Sequence, residues 1–118
     1  MKSEAKIQQE IVEWFKNNYC LKFHNPRYCI FSVPNERSNV KEQMRMIATG
    51  LLSGVSDLIV VMPEKVYFVE VKDDKGTQKP KQIDFEKQVS SLGFTYILVR
   101  SLDEFKDFIE NRFYLESL

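Results

Sequence analysis

The stretch Val66-Tyr67-Phe68-Val69-Glu70-Val71-Lys72-Asp73-Asp74 reads VYFVEVKDD, and the fold turns on it. Five of its first six residues are valine or aromatic, the composition of a strand buried on both faces. Glu70 and Lys72 interrupt that run. Being two apart in a strand, they point to the same side of the pleat. Glutamate and lysine are almost never fully buried unless paired. The bland explanation is that the strand emerges here and the charges are its solvated end; the alternative is a built site.

Composition bounds the alternatives. The chain has 118 residues, 43% hydrophobic and 29% charged, with 17 basic and 17 acidic side chains. That length suits one domain, expected over 1–118, able to bury roughly two-thirds of its unfolded surface. Balanced charge neither demands nor excludes a polyanionic partner, so any nucleic-acid surface must be a local patch. No apolar run reaches transmembrane length and the N-terminus has no signal-peptide core, which predicts a cytoplasmic protein with no membrane partner. Cys20 and Cys29 have no metal or CxxC spacing, and His24 is the one histidine; two reduced structural cysteines are expected.

Periodicity orders the chain as αβ(α)ββαβα. Ile7, Ile11, Trp14 and Phe15 recur at helical spacing over about 3–17, with Ser3 as N-cap. Tyr28–Val33 reads as a strand stopped by Pro34, and 35–50 is polar, then weakly helical through Val40, Met44 and Ile47. Asp57–Met62 and Val66–Lys72 form a hairpin across Pro63, Glu64 and Lys65. Gly76–Pro80 leads into a helix carrying Phe85, Val89 and Leu92, with Pro80 in its first turn. Phe94–Val99 is a strand, and a helix runs from Leu102 to about Phe113. The last β–α–β should be a right-handed crossover, setting the final strand parallel to VYFVEVK. The expected class is α/β, one mixed sheet flanked by helices.

The hairpin also bears on Glu70 and Lys72. If Met62 pairs with Tyr67, or Pro63 with Val66, Asp57 lies opposite Lys72 and Ile59 opposite Glu70. Asp57, Glu70 and Lys72 then share one face at one end of the sheet. Two carboxylates so close repel, and a divalent cation with oxygen ligands relieves them; such a donor set suits Mg²⁺. On the first helix, Glu4 falls on the apolar stripe with Ile7, Ile11 and Phe15, whereas Glu10 falls off its edge. Glu4 is therefore the helix acid expected nearest the cluster, although an acid there also suits the helix dipole. Gln82 shares the inward stripe of its helix with Phe85 and Val89.

Asp57 followed by Glu70-Val71-Lys72 resembles the metal-binding signature of the PD-(D/E)XK nuclease superfamily. Gly54-Val55-Ser56-Asp57-Leu58, Glu70-Val71-Lys72, Pro80 with Gln82, and Leu98-Val99-Arg100-Ser101 narrow the likeness to the VRR-NUC domain, including its small phage-type members. It runs from Glu4 to about Ile109. Three places depart from the pattern: Ser56 stands where proline is usual, which should loosen that turn, Lys79 where a small polar cap is common, and a single Arg100 followed by Ser101 where paired basic residues are expected. The resemblance implies a restriction-endonuclease-like core and a metal-dependent DNA endonuclease acting on branched, Holliday-junction-like DNA. It implies that Asp57, Glu70, the Val71 carbonyl and Glu4 hold Mg²⁺ or Mn²⁺, with Lys72 orienting the attacking water and Gln82 assisting it.

Basic residues flank this site in sequence: Arg37, Lys41 and Arg45 before the hairpin, Lys75, Lys79 and Lys81 after Lys72. A basic rim around an acidic centre would hold DNA phosphates, though ordinary solvated side chains read the same way. Met44, Met46, Ile47, Leu51 and Leu52 have no obvious place in the sheet. They are either plain core or a self-complementary surface, and a homodimer is expected from them. The competing function is a non-catalytic nucleic-acid-binding or assembly module that retains the fold. Loss of Asp57, Glu70 or Lys72 would favour it, and all three are present.

Overall fold

The computed structural model describes residues 1–34 and 39–117, with side chains as far as residue 111. Eight elements follow in the expected order: α1 (Glu4–Tyr19), β1 (Cys29–Ser32), α2 (Val40–Ala48), β2 (Leu58–Met62), β3 (Lys65–Val71), α3 (Pro80–Ser91), β4 (Thr95–Val99) and α4 (Leu102–Ser117). The sheet is mixed and ordered β1-β2-β3-β4. β1, β2 and β3 are antiparallel neighbours, and β4 lies parallel to β3 with Glu70 beside Leu98 and Val71 beside Val99.

Alternation along the central strands decides which layer covers which face. Leu58, Val60 and Met62 of β2 and Tyr67, Val69 and Val71 of β3 point to one side. There they meet Ile7, Ile11 and Phe15 of α1 and Phe105 and Ile109 of α4. Ile11, Phe15, Phe105 and Ile109 are completely buried, each burial worth about 2 kcal/mol. α1 begins where Ser3 Oγ accepts the Lys6 N–H at 3.1 Å, satisfying one of the free amides of its first turn. On the opposite face Phe68 meets Phe85 of α3 edge-on at 5.4 Å between ring centroids. Glu70 and Lys72 belong by parity to that α3 side.

The hairpin register differs from the expectation by two residues. Met62 pairs with Lys65 and Ile59 with Phe68, so Asp57, one step beyond Leu58, falls opposite Glu70 rather than Lys72. The cause is a two-residue turn. Pro63 supplies its fixed φ near −65°, and Glu64 takes φ 60° at the second corner, the pattern of a type II turn. Such turns usually advertise themselves with glycine or asparagine there, and this one does not. A slip of two leaves side-chain faces unchanged, so Asp57 and Glu70 still share a side.

α2 differs from the other helices in burying nothing. Asn39 Oδ1 caps it through the Glu42 N–H at 2.7 Å, yet none of its residues is buried, and Ile47 at its end lines an open cleft shared with Lys81, Asp84 and Phe85 of α3.

Candidate active site

Three chain segments meet at the C-terminal end of β3. The first is the Ser53–Asp57 turn entering β2. Gly54 has φ +87°, and a Cβ there would overlap the Lys81 carbonyl, so only glycine lets this turn seat on the first turn of α3. Ser56 is fully buried, and its hydroxyl donates to the Leu58 carbonyl at 3.3 Å. A residue expected to loosen the turn therefore brings its own tie. Asp57 follows, with Oδ2 accepting the Val71 N–H at 2.8 Å and its carbonyl accepting the Val33 N–H at 3.0 Å. That pair of bonds locks Asp57 between β1 and β3.

The second segment is the end of β3. Glu70 is 0% exposed, and neither carboxyl oxygen has a hydrogen-bond partner among the described residues. Burial, and after it the adjacent Asp57, push its carboxyl up to about 9, with the Lys72 ammonium pulling the other way. The rise belongs to the Glu70–Asp57 pair, which favours holding a shared proton while nothing else neutralises it. Burying a carboxyl that no N–H or O–H of another described residue reaches costs on the order of 1–3 kcal/mol. A group held at such cost, beside a second carboxylate, is a candidate functional residue. Lys72 is 7% exposed, and its backbone N–H donates to the Val99 carbonyl at 3.0 Å.

The third segment is the start of α1. Glu4 is about half exposed, and its Oε1 lies 4.0 Å from Lys72 Nζ. Glu10 instead pairs with Lys2 at 2.7 Å, away from the cluster. The expected apolar stripe thus delivers Glu4, not Glu10, to the end of β3. Gln82 is half-buried in the first turn of α3, where its Oε1 accepts the Lys79 N–H at 2.8 Å. Lys79 has no acceptor of its own to return, so only half of a capping box forms. Sequence reasoning gave Gln82 a place near the water; its oxygen is first of all a helix cap.

Donor chemistry is all oxygen, the set a hard cation prefers. No three acidic, histidine or cysteine side chains gather into a ligand cluster among the described residues. The protein carboxylates on hand are two, Asp57 and Glu70, with Glu4 turned toward Lys72. Mg²⁺ is ordinarily held by one or two carboxylates, with water and phosphate oxygens completing its shell. The orphaned oxygens of Glu70 fit that arrangement.

A polar cluster of three residues, Tyr96, Gln78 and Glu86, escaped the sequence reading. Tyr96 of β4 lies on the Phe68 side, and its phenol receives the Gln78 amide at 3.2 Å, while the same amide donates to Glu86 at 2.9 Å. Burial raises the Tyr96 phenol well above its usual range, with Glu70, Glu86 and Asp57 adding to the rise. An aromatic inside FTYILV carries no signal distinguishing a polar cluster from plain core.

Of the basic residues, Lys41 and Arg45 lie exposed on α2, and Lys75, Lys79 and Lys81 lie exposed around the β3–α3 connection. None of these five forms an ion pair among the described residues. Arg37 lies outside the described residues.

The sheet is mixed with helices on both faces, two carboxylates and a lysine lie at one strand end, and the family matched below makes this a nuclease-type fold. The VRR-NUC domain family model matches residues 2–103, and the chain belongs to that family. A solved structure of a "VRR_NUC domain protein" superposes with a TM-score of 0.75 at 18% identity, covering 94% of this chain and 88% of the other. No curated protein matches the sequence. No helix among the described residues is long and apolar enough to cross a membrane.

Proposed function

We propose that this chain is a structure-selective deoxyribonuclease that hydrolyses phosphodiester bonds with Mg²⁺ or Mn²⁺, acting on branched or Holliday-junction-like DNA in the cytoplasm. The observation that carries the reading is Glu70: a wholly buried carboxyl with two unpartnered oxygens, facing Asp57 and neighboured by Lys72. Asp57, Glu70 and the Val71 carbonyl would hold the ion, with Glu4 reaching it directly or through water. When bound, the ion supplies a more acidic water and neutralises charge on the scissile phosphate. Glu70 would hold the ion as the carboxylate, so binding would be favoured at higher pH. Lys72, desolvated at the strand end, orients the attacking water and stabilises charge on the phosphate oxygens. Gln82, anchored by its oxygen to the start of α3, presents its amide nitrogen as a further donor.

Lys41, Arg45, Lys75, Lys79 and Lys81, with Arg37, form the phosphate-binding rim in this reading. Its support is that the five described ones are exposed and unpaired. A homodimer is part of the proposal. Val40, Met44 and Ile47 share one face of α2 at 50–76% exposure, and Leu52 beyond them is 52% exposed. Two sites related by a two-fold axis suit a four-way junction.

The test is a nicking assay on linear, flap and four-way DNA with Mg²⁺, Mn²⁺, Ca²⁺ or chelator. Cleavage with Mg²⁺ or Mn²⁺, favouring branched substrate and lost in Glu70→Ala without loss of DNA binding, is the expected result. Wild-type protein inert with both ions on every substrate would leave a DNA-binding module in place of an enzyme.

A further inference from the structure

Lys72 carries a four-carbon stem whose rotamers, left free, would scatter the ammonium over several positions. The turn that follows it removes this freedom. A Cβ built on Gly76 would sit 3.1 Å from Asp73 Oδ1, 3.3 Å from Lys72 Cδ and 3.5 Å from Lys72 Cβ, so the bare glycine backbone lies against both the lysine stem and the Asp73 carboxylate. The turn is wound around Asp73, whose Oδ1 accepts the N–H of Lys75 at 3.0 Å and of Gly76 at 2.6 Å. One guanidinium closes it. Arg100 Nη1 donates to the Asp73 carbonyl at 2.6 Å and to the Gly76 carbonyl at 2.7 Å, across 27 and 24 residues of chain.

Arg100 is well placed for this. Val99 pairs with Val71 in the parallel register, so Arg100 leaves β4 alongside Lys72. Its own N–H donates to Glu104 Oε2 at 3.1 Å, fixing where the side chain starts. Arginine stays charged at all working pH values, and bonds from a charged donor are roughly twice as strong as neutral ones. Beyond the turn, Gln78 is tied to Glu86 and Tyr96. The β3–α3 connection is therefore held at both ends.

We propose that Arg100 is a positioning residue for Lys72: by bridging the Asp73 and Gly76 carbonyls it presses the 73–76 turn onto the lysine stem and holds the ammonium toward Glu4 and Glu70. The geometry stands by itself, while its kinetic consequence rests on the nuclease reading above. Arg100 touches backbone carbonyls, so its loss should lower kcat rather than weaken DNA binding. A direct phosphate contact would do the reverse.

The experiment pairs a chemical readout with a kinetic one in Arg100→Ala and Arg100→Lys, after circular dichroism has shown each variant folded. Acetylation of Lys72 by acetic anhydride in chelator is followed by peptide mass spectrometry against exposed Lys75 and Lys81. Release of the turn in Arg100→Ala should speed Lys72 labelling roughly fivefold or more, as local opening exposes a buried group. Arg100→Lys, which loses the planar fork, should fall between. Cleavage by Arg100→Ala should drop about 10–100-fold in kcat, the usual cost of an outer-sphere partner, with DNA Kd unchanged.

Gly76→Ala, which keeps Arg100 but inserts a methyl against Lys72, should reproduce the kcat loss and serves if Arg100→Ala does not fold. Unchanged Lys72 labelling in a folded Arg100→Ala, or full kcat in both Arg100→Ala and Gly76→Ala, overturns the proposal. So does a loss confined to Kd. Should wild type fail to cut any DNA, the nuclease reading falls, while the labelling contrast still decides whether Arg100 positions Lys72.

Discussion

Replacing Glu70 by glutamine keeps its shape and removes its ability to ionise, which isolates the energetic cost of the site. In the folded protein the carboxyl is raised to about 9, from an ordinary glutamate value of 4.5. Between those two values the folded state holds a proton that the unfolded state does not. Stability owed to neutral Glu70 is thus fully present below the unfolded value. It is lost at up to about 1.4 kcal/mol per pH unit as pH rises toward the folded one. From pH 5 to pH 7 wild type should lose roughly 2–3 kcal/mol relative to Glu70→Gln, a difference belonging to the Glu70–Asp57 pair rather than to one group. Urea unfolding in chelator at pH 5, 6, 7 and 8 measures the gap directly. Mg²⁺ at about 100 times its Kd should restore up to about 2.7 kcal/mol to wild type and little to the variant. Metal affinity of wild type should itself rise with pH, because loading expels the proton. Parallel stability curves for the two proteins, with no Mg²⁺ effect on either, would show Glu70 ionised and solvated, with no metal bound there.

Lys72→Ala should abolish cleavage yet leave Mn²⁺ affinity within a few-fold of wild type by calorimetry, because an ammonium is no ligand; a large loss of affinity would make Lys72 structural. Gly54→Ala places a methyl into the Lys81 carbonyl at a positive φ and should cost at least about 2 kcal/mol in urea unfolding. It should also weaken metal binding, since Asp57 rides on that turn; a neutral effect on both would separate the turn from the site. Glu64→Gly relieves a φ of 60° and should stabilise by about 0.5–1 kcal/mol with no change in cleavage. Met44→Asp with Ile47→Asp should convert the proposed dimer to a folded monomer by light scattering, with the melting temperature no longer rising with protein concentration; wild type already monomeric at micromolar concentration would remove the dimer, whose interface should bury about 1,200 Å² or more.

Much of this fold was legible because its signals are local. Ile7, Ile11 and Phe15 announce α1 by spacing, and Ser3 caps it as its chemistry dictates. The apolar runs of β2, β3 and β4 survive both faces being covered. What escaped was of two kinds. The hairpin register hung on Glu64 accepting a left-handed conformation, a choice driven by the closure of a two-residue turn and not by glutamate's own preference. The ties around Lys72 depend on contacts 24 and 27 residues apart, and a lone arginine after a strand carries no trace of which carbonyls it will meet.

The site was legible for a different reason than the fold. Glu70 and Lys72 stood out because they violate the composition of their own strand, and such a violation persists only where the surroundings over-determine it. The structure supplies those surroundings on every side. Tyr67, Val69 and Val71 anchor β3 through the opposite face, so Glu70 cannot rotate out to water without exposing the core. Asp57 is pinned by the Val71 N–H, and the turn before it by the close approach of Gly54 to Lys81. The parity that buries three apolar residues of β3 also obliges Glu70 and Lys72 to face α3 together. Moving the carboxylate one residue along would put it in the α1–α4 core, and the strand would lose its apolar anchor along with its site. The charged pair in VYFVEVKDD is therefore placed by the packing of its neighbours, and stability and chemistry are set by the same alternation.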